Sequence, residues 1–563
     1  MFSRPSTLGR CLAYASIALC LLLGGRAVNA GESFADLVPR DAVLHVSVTD
    51  LPGLLAKLRS VPQAGLLREP ALREALAPRL ELLAAEEAAA AAFLGSPDGS
   101  LDGRFAGPAS FSVLPGAEGH PQLLLLTDLG TGAQQPRTVL ESLASLGQPA
   151  TGTWPVVFAR HREHVILCLL QAAGEDATGT GRTNGQQKLQ WAIAGPVFVL
   201  TVSSDDALIR RCLDLLDGME GERLVGRAEY LAAMEATGAD ADIHLFADLS
   251  GLARLAGPVP ETAAALGIAP QNIAAVGLWI AEDGLRADGF ISAPGPRGGL
   301  LRALSSEAVA LEPPEFVTSD VLFFASVSFD AAILWRDAFD ALERENPDAA
   351  DTIRKVLSAV PVNIERDVVE ALGSRWSLTC AADEAGQPRM ALCADLDDAR
   401  SFRRAWGMII SSYPPLADPR VNEVEDSLVY KLNIGVRRAG ETAGPERCVV
   451  LGRDRVAVTD SLDLANAIAR GRAGDGPPLR DTEAFRELAA AAAGGPGVLV
   501  FAPGRSVLRA AAQGADLAEP ALDVIERYAS PVVLAGSWTE DGLHLHGFMP
   551  YPSIPPADAA QPR

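Results

Sequence analysis

Histidine, lysine and cysteine are all scarce in this chain of 563 residues, which has 7 histidines, 7 cysteines and, among 48 basic residues, only Lys57, Lys188, Lys355 and Lys431. Each shortage removes a class of function. Five scattered thiols remain beyond Cys11 and Cys20 of the N-terminal segment, with no C-x-x-C pair, so neither a disulfide framework nor a cysteine zinc site is encoded. G-x-S-x-G, S-x-x-K, H-E-x-x-H and a Walker-type G-K-[ST] are all missing, which removes the hydrolases and nucleotide sites that carry local signatures. The glycine-rich "GTGRTNG" (Gly179 to Gly185) has the wrong spacing for a phosphate loop and reads as an insertion. Positive charge is also deficient. A net charge of -23 excludes nucleic acid and anionic membrane surfaces as partners, because either needs a basic face. The low lysine share carries no functional reading.

What is present describes a globular protein. Hydrophobic residues make up 48% and charged residues 21%, enough for a substantial core in two to four domains. The first thirty residues have the order of an export signal: Arg4 and Arg10, then the apolar "CLAYASIALCLLLGG" (Cys11 to Gly25), then small residues in "VNA" (Val28 to Ala30). Cleavage is expected after Ala30, with retention as an N-terminal anchor the alternative. No later segment reaches about eighteen uninterrupted apolar residues, so no transmembrane segment follows the signal peptide. The expected localisation is exported, periplasmic or extracellular.

The chain repeats itself. "WIAEDGLRADGF" begins at Trp279 and "WTEDGLHLHGF" at Trp538, with Glu282 and Glu540 258 residues apart. The same offset relates Thr201 to Thr459 and Asp205 to Asp463. Tyr230 meets Phe485, and Phe246 meets Phe501, at an offset of 255. "RDAVLHVSVTD" from Arg40 resembles "SDVLFFASVSFD" from Ser319. Offsets that drift while motif order holds are what loop insertions do to a duplication. The first half carries the extra material, notably the Ala-rich "LELLAAEEAAAAAFL" and the loop "GEDATGTGRTNG". The domains are therefore read as 1–30 signal peptide, 31–312 first α+β repeat and 313–563 second α+β repeat, with Ser292 to Pro314 as linker. Paired strands with short turns favour antiparallel sheet, with helices over one face of each.

Most repeated polar residues have a structural reading. In "LHVSVTDLPGLLAKL" and "IHLFADLSGLARL" an alternating strand ends in Asp50 or Asp248 and opens a helix, where the carboxylate suits an N-cap. Pro503 takes that place in the second half. The "EDGL" acids sit where Asp-Gly signals a hairpin turn, and Trp279 and Trp538 are expected to anchor the core.

These features resemble a family of uncharacterised exported bacterial proteins. The resemblance rests on the signal peptide, the "P-x-D-A" type entry in "LVPRDAVLHVSVTDLPGLLAKLRSVPQAGLLREPALREAL" (Leu37 to Leu76) and the closing "DGL" hairpin. It spans most of the mature chain, through short structural motifs. The family's domain has no known function, so the resemblance implies no active site. The second half departs from it at Thr318, where the first has Pro39, and at Pro503.

Few residues remain for chemistry. His544 and His546 in "HLH" share one strand face and are the candidate metal ligands, weakened because Arg286 and Asp288 stand there in the first half. His161 and His164 flank a hairpin turn in "HREH". Cys380 and Cys393 would lie near each other across a hairpin turning at "DEAGQP", where either a bridge or two reduced thiols fit. No catalytic or cofactor-binding residue is assigned, and no cofactor is required. Two readings follow. The first is a non-enzymatic cell-envelope or periplasmic binding or scaffold module whose partner is a protein or an apolar ligand. The alternative is an exported, hydrolase-like enzyme with a site assembled between the repeats. N-terminal sequencing of exported material is expected to begin at Gly31; an intact Met1 on cytoplasmic protein would contradict export.

Overall fold

In the computed structural model the described residues are 34–75, 77, 105–116, 120–130, 156–170, 188–256, 273–305, 311–382, 387–412, 417–432, 447–471, 476–491, 497–505 and 519–552. Residues 1–30, read from sequence as a signal peptide, the Ala-rich stretch around residues 80–94 and the insertion 174–185 lie outside them. Two compact units divide the chain; the first ends at Ser292 and the long run of the second begins at Ala293.

The first unit has strands β1 (Leu44–Val48), β2 (Ala109–Pro115), β3 (Pro121–Asp128), β4 (Val156–His161), β5 (His164–Leu170), β6 (Lys188–Ala194), β7 (Val197–Ser203), β8 (Ile243–Asp248), β9 (Ile273–Ile280) and β10 (Gly284–Ser292). Its helices are α1 (Leu51–Ser60), α2 (Ala207–Leu216), α3 (Ala228–Ala236) and α4 (Leu249–Ala256). The strands lie in the order β4-β5-β6-β7-β3-β2-β1-β8-β9-β10. In the second unit α5 (Gly299–Leu304) precedes β11 (Phe323–Ser328), and two long helices follow, α6 (Ala331–Glu345) and α7 (Pro347–Ala359). Then come β12 (Leu372–Ala382), β13 (Pro388–Leu396), α8 (Ala399–Ser412), β14 (Ala417–Val424), β15 (Ser427–Leu432), β16 (Arg447–Leu451) and β17 (Arg455–Thr459). The chain continues with α9 (Leu462–Ala469), α10 (Glu483–Ala491), β18 (Val498–Ala502), α11 (Glu519–Tyr528), β19 (Val532–Trp538) and β20 (Gly542–Pro550). Here the strand order is β14-β15-β16-β17-β13-β12-β11-β18-β19-β20. The strands from β4 to β9 in this order, and from β14 to β20, pair antiparallel, and the class is α+β.

Helices lie against both sheet faces, not one. On one face, here face A, Leu208, Ile209, Cys212 and Leu213 of α2 and Tyr230 of α3 form a cluster with Leu124, Val199 and Phe246. On face B, Leu51, Leu54 and Leu55 of α1 join Phe111, Leu125, Trp191 and Phe198. The second unit divides likewise: α9 and α10 supply Leu464, Ile468 and Phe485 to face A, and α8 supplies Phe402 to face B. The reason is composition. Strand residues of both parities include large apolar side chains, such as Leu124, Val199 and Phe246 on face A and Phe111, Leu125 and Trp191 on face B, so neither face can be left wholly to water.

Small devices recur in both units. Tyr230 meets Phe246 edge-on at 5.3 Å, and Phe485 meets Phe501 at 5.5 Å, each pair tying a helix to a central strand. Leu224 N–H donates to Val38 O at 2.8 Å and Leu479 N–H to Val317 O at 2.8 Å. Beside these bonds, isolated bridges join Pro39 to Arg223 and Thr318 to Pro478. The two-residue turns β4–β5 and β14–β15 each place a non-glycine in the left-handed region, Arg162 (φ 53) and Glu425 (φ 52), as the twist of tight hairpins demands.

Several sequence expectations need correction. Asp205 precedes α2 while Asp463 lies within α9, so this pair is not equivalent. The helix register follows the buried stripe (Leu208, Ile209, Cys212 and Leu213 against Leu464, Ala465, Ile468 and Ala469), because burial and not an exposed acid fixes a helix's rotation. Trp279 and Trp538 are half-buried beside glycines at Gly238 and Gly497, not core anchors. Much of the supposed linker is packed: α5 is held to α6 by Asp337, which accepts from Gly299 N at 2.9 Å and pairs with Arg302 at 3.1 Å.

Face A of the first unit also buries polar groups. His45 is 1% exposed; its Nδ1 is 2.9 Å from Ser112 Oγ, while its Nε2 has no hydrogen-bond partner. Phe246 lies opposite on β8, and Tyr230 stands edge-on at 6.0 Å. Burial, reinforced by neighbouring His244, pushes the His45 pKa down to about 3. The unfolded chain then takes up a proton below about pH 6.5 that the native unit refuses, so stability falls as the pH drops. The loss reaches roughly 2 kcal/mol by pH 5. Hydrogen exchange of β1 and β8 is expected to quicken accordingly between pH 7 and 5, after correction for intrinsic rates. His45→Phe, which copies Phe324 at the matching place on β11 opposite Phe501, is expected to remove that component; an unchanged pH dependence would refute it.

Candidate functional site: an open sheet face

The register defines one row of side chains across face B of each unit. In the first unit it runs Phe158, Leu167, Trp191, Leu200, Leu125, Phe111, Val46, Leu245 and Val276. In the second it runs Val421, Tyr430, Val449, Val458, Leu392, Leu378, Ala325, Val500 and Leu534. Both rows are apolar from end to end. Their middles differ. Leu125 is 4% exposed, whereas Leu392 at the matching place is 45% exposed, and Val458, which matches the half-buried Leu200, is 45% exposed; Val449, which matches the buried Trp191, is itself buried. Met390, two residues along β13 from Leu392, is 47% exposed.

Coverage explains the contrast. In the second unit α8 lies over one end of face B: Phe402 packs there, and Trp406 meets Tyr430 edge-on at 6.1 Å. A π-helical turn (Ile364–Val369) adds Val368 and Val369 beside it. The helix following β11 does not close the other end. Asp330 caps α6 through Ile333 N at 2.9 Å, as Asp50 caps α1 through Gly53 N at 2.9 Å. Yet α1 buries Leu51, Leu54 and Leu55, while α6 buries only Ala341. A bare stretch thus runs from Met390 through Leu392 to Val458. Fully burying each of these side chains would contribute on the order of 2 kcal/mol relative to full exposure, so an occupant has roughly half of that to gain from each. Neighbouring exposed apolar side chains make this stretch a candidate interaction site.

A second concavity of about 700 Å³ lies beside α6, α7 and the π-helical turn, lined by Trp335, Phe339, Leu357, Val360, Val362 and Ile364. Four of its charges are paired: Arg354 with Glu343 at 2.5 Å and Arg366 with Asp367 at 2.9 Å. The guanidinium of Arg354 also covers the Phe339 ring. These contacts stiffen the groove and leave no nucleophile–base pair within it.

The residues singled out from sequence are dispersed. His544 and His546 share a face of β20, opposite Ser537 and Ala535. No group of three histidine, cysteine, aspartate or glutamate residues able to hold a metal occurs among the described residues. His161 and His164 both face the end of α2, with their Nε2 atoms 2.8 Å from Asp214 and Asp217. Cys380 lies opposite Met390 and Cys393 opposite Ser377, three residues apart along β12 and so on opposite faces, which forbids a bridge. Both thiols are free, and burial pushes Cys393 up to about 12. Asp248 is a cap: it accepts from Ser250 Oγ and Gly251 N, and Arg227 reaches it at 3.0 Å. Burial opposes its charge, but these bonds hold the carboxyl below its usual range. Glu282, Asp283, Glu540 and Asp541 are exposed turn acids. Sequence reasoning missed the open row because both rows read as equally apolar; the one available signal was the leucine spacing of α1, absent from α6.

No described helix is long and apolar enough to cross a membrane. No protein-family model, curated protein or solved structure matches the chain.

Proposed function

We propose that this is an exported, non-enzymatic binding module of the cell envelope, built by tandem duplication, in which the second unit holds an apolar partner on its open sheet face. The observation that carries the reading is the contrast at matching places of two apolar rows, Leu125 buried in the first and Leu392 exposed beside Val458 in the second. Duplication is supported by the matching strand orders, the paired aromatic contacts and the equivalent bonds at Leu224 and Leu479. Export is supported by the first thirty residues, and membership of the uncharacterised exported family by the motifs from Leu37 to Leu76. A duplicated scaffold that keeps turns, caps and aromatic pairs while its polar residues diverge fits selection for a surface. The first unit covers the middle of this surface at Leu125 and Phe111; the second exposes it at Leu392 and Val458.

The test is binding of the apolar dye anilinonaphthalene sulfonate to the folded full-length chain. Joint replacement Leu392→Glu and Val458→Glu is expected to remove most of the fluorescence gain, while Phe158→Glu at the edge of the first unit's row retains it. Dye binding that ignores Leu392 and Val458, with circular dichroism unchanged, would overturn the proposal.

A further inference from the structure

The edge strands β4 and β14 of the two units are finished differently. In the second unit β14 carries Pro419, which has no N–H to offer, and its register shifts between Ala417 and Val421. Proline and irregular pairing both protect an edge against a further strand. In the first unit β4 has neither. It pairs with β5 in unbroken register from Val156 to His161, and no other strand among the described residues joins it. Val157 and Phe158, on its two faces, are 44% and 61% exposed. The turn fixes which backbone groups point away from β5. In a two-residue hairpin the flanking pair, here His161 and His164, exchanges hydrogen bonds, and such pairs alternate along the ladder. Val157, Ala159 and His161 therefore bond to β5, while Val156, Phe158 and Arg160 turn their N–H and C=O groups outward. From this unprotected edge we infer that β4 pairs antiparallel with β4 of a second copy of this chain, about a two-fold axis at Ala159.

The strand is complementary to itself in that register. Phe158 comes opposite the partner's Arg160 and, by symmetry, Arg160 opposite the partner's Phe158, so a cation meets a ring twice on face B. Both pairs join residues whose backbone groups point outward, so each pair exchanges hydrogen bonds. At the axis Ala159 faces the partner's Ala159 as a non-hydrogen-bonded pair. That arrangement brings the Cα atoms to about 4.5 Å, the closest approach in a ladder, and alanine fits there. On the same face Val157 meets the partner's His161. Moving the axis to Phe158 would set ring on ring and forfeit both contacts between ring and cation. The hairpin carries Arg160 and Arg162 against Glu163, so the chain's net charge of -23 is not concentrated where the copies meet. Because Val157 to His161 match themselves reversed, a second copy is the occupant that this edge specifies.

The experiment is sedimentation equilibrium of the full-length protein, for which a monomer–dimer equilibrium is expected. Phe158→Arg sets like charges opposite each other at both symmetric pairs and is expected to raise the dissociation constant about ten-fold. Adding Arg160→Phe to that variant is expected to restore association, because ring and cation have then only changed places. Leu392→Glu with Val458→Glu, on the open face of the second unit, is expected to leave the dimer unchanged. Ala159→Cys is expected to give a disulfide-linked dimer on mild oxidation and Val157→Cys to give none, since position 157 meets 161 and not itself. A monomer at every concentration would overturn the proposal. So would association indifferent to Phe158→Arg, or not restored by the added Arg160→Phe, in protein whose circular dichroism is native. Loss of the dimer with Leu392→Glu and Val458→Glu would place the contact on the open face and overturn it as well. Linkage through Val157→Cys but not through Ala159→Cys would contradict the register and with it the inference.

Discussion

An antiparallel sheet with large apolar side chains on both faces must be covered twice, and the rest of this structure follows from how each unit meets that demand. Face A is closed in the same manner in both units, with a helix after the seventh strand in the order of the chain and another before the eighth. The edge-to-face pairs Tyr230–Phe246 and Phe485–Phe501 lock the second of these helices to the sheet. Such a pair contributes about 0.5–1.5 kcal/mol beyond its buried area, which is enough to fix a helix's rotation as well as its presence. Face B is where the units part. The first brings a leucine-faced helix down onto it; the second sends out two long helices that pack on each other and on the π-helical turn.

The divergence has a local cause. After β1 the sequence "LPGLLAKLRS" concentrates leucine on one helical face, and α1 buries Leu51, Leu54 and Leu55. After β11 the sequence "AAILWRDAFDALERE" places Trp335 and Phe339 where they stack on each other at 6.1 Å and line the groove beside α7. Aromatic residues that find one another do not need the sheet. The strands beneath therefore keep their bare stretch, and the hydrophobic effect that closes one unit becomes a binding potential in the other.

Much of the fold was legible in the sequence because it depends on period and turn chemistry. The alternation in "LHVSV", the two "DGL" hairpins and the caps at Asp50 and Asp248 each point to one backbone geometry, and the antiparallel α+β class follows from them. The sequence could also align Tyr230 with Phe485, since large buried aromatics tolerate little substitution of position. It misaligned Asp205 with Asp463 because an exposed acid is free to slide within a helix's first turn. The helix coverage of both faces was missed because apolar side chains at both strand parities do not reveal what lies above them. For the same reason the candidate site was invisible: Leu125 and Leu392 are the same residue at matching places and differ in what packs against them. His544 and His546, the most chemical letters in the second half, stand on a strand with no third ligand among the described residues.

The most direct test of the account is to label the folded protein with a photoactivated diazirine carbene and compare two strands by mass spectrometry. The account predicts heavy labelling of the β13 peptide containing Met390 and Leu392, and sparse labelling of the β2 and β3 peptides containing Phe111 and Leu125. Equal protection of both, in protein whose circular dichroism is native, would mean that the second row is as closed as the first and would contradict the account at its centre.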